Sequence, residues 1–147
     1  MKPIFGIKRQ SLAQCAALIL LGSASLIPVS SAQNTESILK TSSGVPYVSG
    51  GVGLDSIDRL DALASQFNLK LVFALNTGVY LSDVKVTVAD ARGTTLLDTQ
   101  SQGPWLMTKL PAGNYQIAAT VAGVTARRNV AIGGARLSTV DFRWASE

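Results

Sequence analysis

Three aspartates recur at every third position, Asp55, Asp58 and Asp61, and carboxylates this close in sequence could hold a cation. Along a helix, that spacing spreads them over more than one turn and does not match a calcium loop, so they read as a solvated helix start favoured by the helix dipole. Just before them, Gly50-Gly51-Val52-Gly53 could cradle an anion. The run lacks the lysine of a phosphate loop, and Asp55 stands where the anion would sit, so it reads as a hinge or turn. Arg127 and Arg128 fall on opposite faces of one strand, so at most one of them joins Arg136 or Arg143 in a basic patch; otherwise they guard an edge strand. Trp105 and Trp144 could each present a flat indole to a sugar, although Trp144 alternates with Phe142 and Val140 in the manner of a packed core. Trp144, Trp105, Arg127 and Arg143 are the ligand-binding candidates. Histidine is absent from the chain, which excludes a histidine-based triad, an imidazole general base and a histidine-ligated metal. The expectation is a non-catalytic protein with no cofactor and no metal.

The compartment follows from the first thirty-odd residues. Lys2, Lys8 and Arg9 form a basic start, Leu12 to Ile27 is largely apolar, and Ser30-Ser31-Ala32 is a small-residue cleavage site. The apolar core is shorter than the roughly 20 residues of a spanning helix and is broken by Gly22, Ser23 and Pro28, so residues 1–32 read as a signal peptide cleaved after Ala32. No membrane span is expected after cleavage, and the location is periplasmic or secreted. Cys15, the single cysteine, precedes the main apolar run and follows Gln14, which does not suit a lipobox. Its removal leaves neither a disulfide nor a thiol nucleophile. Three of the 13 basic residues lie in the leader and all 9 acidic ones after it, which leaves the mature chain at +1. So balanced a charge speaks against nucleic acid, whose phosphates need clustered Lys and Arg. The 115 residues from Gln33 to Glu147 suit one domain.

The elements that must position these side chains follow from periodicity. Residues 33–47 are rich in Ser, Thr and Asn and read as a flexible linker, with the domain running over 48–147. Leu54, Ile57, Leu60, Leu63 or Ala64, and Phe67 recur at helical spacing, which predicts an amphipathic helix over 55–67 with Asp55 placed to cap it. Its apolar face needs a sheet to lie on. From Leu69 the period becomes two, and strands are expected over 69–75, 84–89, 94–99, 105–110, 115–121, 124–132 and 137–144. Their number and spacing predict a mainly β fold, a seven-stranded antiparallel Greek-key β-sandwich preceded by one amphipathic helix. Gly103, Leu110, Pro111, Gly113 and Tyr115 read as turn and core residues of a β-hairpin, with Gly113 supplying a positive φ.

Over residues 78–132 the chain resembles the carboxypeptidase regulatory-like, or transthyretin-like, module of the starch-binding-like folds. The resemblance rests on the strand from Gly78 to Val88, on Thr99 to Met107, and on the turn Leu110-Pro111-Ala112-Gly113-Asn114-Tyr115. It implies a sandwich in which Trp105 takes a buried aromatic position. The hydrolytic activity known for some transthyretin-like proteins relies on histidines, which this chain lacks. What remains is an exported interaction or accessory module of the cell envelope. A protein partner is expected, with a polysaccharide held by an exposed aromatic as the alternative.

Overall fold

The computed structural model describes residues 38–41 and 43–146; the expected leader and residues 33–37 of the expected linker lie outside them. In chain order the strands are β1 (Leu39–Lys40), β2 (Pro46–Gly50), β3 (Leu69–Leu75), β4 (Lys85–Asp90), β5 (Thr95–Gln100), β6 (Trp105–Thr108), β7 (Gly113–Val121), β8 (Val124–Ile132) and β9 (Ser138–Trp144). Helix α1 (Leu54–Leu63) and a 3₁₀ turn over Ala64–Gln66 stand between β2 and β3. The first sheet has the order β1-β2-β6-β3-β9 and the second β5-β4-β7-β8. Period-two alternation thus yields the expected mainly β, two-sheet sandwich with one helix.

Several expectations need correction, the first being the strand number, nine among the described residues rather than seven. Pro46 and Tyr47, read as the end of a linker, belong to β2, which pairs with β6 from Tyr47↔Thr108 to Gly50↔Trp105. Val45 and Val48 are buried on either side of them, and Tyr47 packs against the main core, which anchors the end of the segment read as a linker. Next, the sheets are not wholly antiparallel, because β3 and β9 run parallel from Leu69↔Ser138 to Leu75↔Trp144. Finally, the run from Gly103 to Tyr115 is no hairpin. β6 lies in the first sheet and β7 in the second, so residues 109–112 cross between them. Gly113 does hold the expected positive φ, at 158°, but as the first residue of β7 rather than inside a hairpin turn.

One face of each sheet points into the main core. Leu69, Leu71 and Phe73 of β3, Leu106 of β6 and Phe142 of β9 meet Val86, Val88, Ile117 and Ala119 from the second sheet. A separate cluster covers the other face of the first sheet, where Leu60 of α1 and the following Phe67 pack on Val48 and Met107. The helix therefore finds its sheet, but its apolar stripe is shorter than the spacing predicts: Leu54 is 78% exposed, and the α-helix ends at Leu63. Asp55 does not cap it. Gly53 holds the cap position without a side-chain bond, and the buried Ser56 hydroxyl instead accepts the Gly51 N–H at 2.8 Å. Among the described residues no helix is long and apolar enough to cross a membrane.

Candidate functional site

The four sequence candidates are dispersed over three surfaces. Trp144 lies inside the sandwich, stacked on Phe142 with ring centroids 6.1 Å apart, and its indole N–H donates to the Val124 carbonyl at 3.1 Å. At 4% exposure it has no face for a sugar. Trp105 lies on the outer face of the first sheet, half-buried beside the helix cluster. The Lys70 ammonium sits 3.1 Å from its ring centroid, and a Cβ on Gly51 would fall 3.1 Å from its Cγ. Lys70 and the Gly51 backbone therefore crowd that indole, which is half-buried rather than in the buried position that the resemblance implies. Arg143 is exposed on β9 beside Asp141, 4.0 Å away, whereas Arg127 is exposed on the outer face of the second sheet.

The turn and core candidates form a clamp. Leu110 is buried, and both its N–H and its carbonyl are held by Asn68, at 2.9 and 2.8 Å; the same amide also donates to the Gly134 carbonyl at 3.0 Å. Tyr115 donates its hydroxyl to the Pro111 carbonyl at 2.7 Å, a bond four residues back along the chain like those of tyrosine corners in other sandwiches. Gly103 serves a close approach, since a Cβ there would collide with the Gly50 carbonyl oxygen. The buried Asn68 escaped the sequence reading because one amide between Phe67 and Leu69 carries no periodic signal.

Strand directions place the β2–α1, β3–β4, β5–β6 and β7–β8 connections at one pole. Five large apolar side chains stand exposed in these connections or next to them: Val52, Leu54, Val79, Tyr80 and Val124. Tyr80, 61% exposed, is bridged to Ala74 of β3. Buried hydroxyls tie neighbouring strand ends together at this pole. Ser49 donates to the Trp105 carbonyl and accepts the Gln102 N–H, both at 2.9 Å, while Ser101 accepts the Val84 N–H at 3.0 Å. A rigid rim bearing apolar tips is suited to a protein surface.

The opposite end of the second sheet carries a shallow depression of about 660 Å³ on its outer face, walled by the Asp90–Gly93 turn. The Asn114, Gln116 and Asn129 side chains reach it beside the small residues Ala89 and Ala131, and Gln116 pairs directly across the strands with Asn129. Asp90 is committed to its own turn, its carboxylate accepting the N–H groups of Arg92 and Thr94, each at 2.9 Å. Three neutral amides can donate to and accept from hydroxyl or peptide groups. Two groups have pKa values moved from their ordinary range. Burial pulls the Lys70 ammonium below its ordinary 10.5, with Asp61 opposing, and burial pushes the Tyr115 phenol above its ordinary 10.0, with the charge of Asp90 adding. Comparison with protein-family models and with characterised proteins found no match.

Proposed function

We propose that this chain is a non-catalytic exported binding module, acting in the cell envelope by contact with another protein through its loop pole. The observation that supports this reading is the placement of Val52, Leu54, Val79, Tyr80 and Val124 at one pole of a rigid sandwich, where buried hydroxyls tie the strand ends together. Export rests on the charge and hydropathy of residues 1–32, and the kinship with carboxypeptidase regulatory-like modules rests on the residues of β4 to β7. A photoreactive amino acid at Tyr80, compared with one at the exposed Ala112 of the opposite pole, tests the assignment in the intact exported protein. The expected result is a discrete protein adduct from position 80 that is absent from position 112. Equal labelling at both, or none at position 80, rejects it.

The polysaccharide reading keeps a narrower basis, the three amides of the depression on the second sheet. It predicts retention on a glycan surface that Gln116→Ala and Asn129→Ala abolish while Trp144→Ala only unfolds the protein.

A further inference from the structure

β8 is the outermost strand of the second sheet, and its nine residues pair with β7 on one side alone. The β7–β8 turn determines which backbone groups stay open. Ala122 and Gly123 have φ of 46° and 80°, the two positive values of a type I′ two-residue turn, which makes Val121 and Val124 a hydrogen-bonded pair. Counting by two from there, Ala126, Arg128, Val130 and Ile132 turn their N–H and C=O toward β7. Thr125, Arg127, Asn129 and Ala131 turn theirs toward the open edge. The Arg128 guanidinium donates to the Arg127 carbonyl at 3.0 Å, as suits a carbonyl with no strand to bond.

The other edges are those of β1, β5 and β9, the last seven residues long with its one arginine, Arg143, already beside Asp141. Ser43 donates its hydroxyl to the Leu96 carbonyl of β5 at 2.6 Å, and β1 has two residues. β8 differs in length and in charge. Arg127 lies on the outer face beside Asn129, and Arg128 lies on the inner face with its guanidinium carbon 5.8 Å from the Phe142 ring centroid. Among the described residues neither guanidinium meets a carboxylate, whereas Lys70 and Arg143 each do. A second copy is a poor occupant, because full-length antiparallel self-pairing centres on Arg128 and sets two guanidinium groups face to face.

We infer that the open edge of β8 receives an extended acidic segment of another protein as a further strand of the second sheet, with carboxylates at two successive positions. Successive residues fall on opposite faces, so one carboxylate meets Arg127 outside and the next meets Arg128 inside. Backbone bonds to Thr125, Asn129 and Ala131 hold the segment, and the two charge pairs select it. The same arginines then serve two ends, disfavouring self-pairing and choosing the partner. This surface is independent of the loop pole, and either can fail without the other.

The test uses the intact exported protein and a labelled peptide of alternating Val and Thr with Asp-Glu at its centre, followed by fluorescence anisotropy. Saturable binding is expected that weakens with salt and drops about two- to thirtyfold when Lys-Lys replaces Asp-Glu. Arg127→Glu with Arg128→Glu should reverse that preference. Arg127→Glu alone, on an exposed side chain that supports nothing beneath it, should weaken the acidic peptide without changing the fold. N-methylation of alternate peptide bonds should abolish binding. Failure to bind the acidic peptide, indifference to N-methylation or to charge reversal, or dimerisation of the protein through β8 would each overturn the inference.

Discussion

The two sheets are used differently. The first is covered on both faces, by the main core inside and by α1 with Phe67 outside, so β3 and β6 read as nearly continuous apolar runs, Leu69-Lys70-Leu71-Val72-Phe73 and Trp105-Leu106-Met107. The second has one dry and one wet face, and its strands alternate cleanly, with Val86 and Val88 buried and Lys85 exposed. Apolar packing covers two faces of the first sheet and one of the second. Free chemistry is concentrated in the second, whose outer face and open edge carry the unpaired amides and Arg127.

The two tryptophans provide the largest test of that contrast. Trp144→Ala removes a buried ring stacked on Phe142 and 6.5 Å from Phe73, and also the bond to Val124 that ties β9 to β8; the expected loss is roughly 3–5 kcal/mol. Trp105→Ala, on a half-buried indole, should cost about 1–2 kcal/mol. Urea titration of both variants decides, and equal losses would break the distinction between the inner and outer faces of the first sheet. In the native protein, Trp144 should be the indole that resists aqueous quenchers.

Next in size is the clamp between the sheets. Asn68→Leu keeps apolar bulk but strands the N–H and the carbonyl of the buried Leu110, for an expected loss of about 2–4 kcal/mol by thermal unfolding. A smaller effect comes from Gly103→Ala, roughly 1–3 kcal/mol, because its Cβ must push the Gly50 carbonyl away. Gly113→Val should cost about 1–3 kcal/mol as well, not for want of space, since the nearest atom to a Cβ is the Tyr115 hydroxyl at 3.6 Å, but because its φ of 158° strains any side chain. An unchanged thermal midpoint for Gly113→Val would show that this backbone strain is absent from the folded protein.

These residues mark what the sequence makes legible. Leu69 to Leu75 and Val124 to Ile132 are strands over the expected spans, the first as a short apolar run covered on both faces and the second through alternation with one dry side. Which sheet a strand joins is decided by distant partners, so Pro111 and Gly113 imitate a hairpin between strands that belong to different sheets. Trp105 shows the same limit: an aromatic in an apolar strand must be covered, but the sequence does not say whether by the main core or by a helix outside it. The surfaces proposed for binding are the least legible. Tyr80 sits in a loop without periodicity, and the amides of Asn114, Gln116 and Asn129 meet only when β7 and β8 pair.

The smallest expected effect separates the two sheets by pH. Lys70, on the first sheet, has its folded pKa below the unfolded 10.5, so between those values the unfolded chain binds more protons and stability rises with pH. Tyr115, on the second, has its folded pKa above the unfolded 10.0, so above that value the folded chain retains the proton and stability falls as pH rises. The two slopes oppose each other in alkaline solution and partly cancel in the native protein. Lys70→Met should therefore unmask a steady decline above about pH 10, and Tyr115→Phe should leave a rise approaching 10.5, after allowing for the lost bond to Pro111. Urea midpoints measured from pH 8 to 11 check both variants. Parallel curves for the two would show that neither side chain's burial differs between the folded and unfolded states enough to matter.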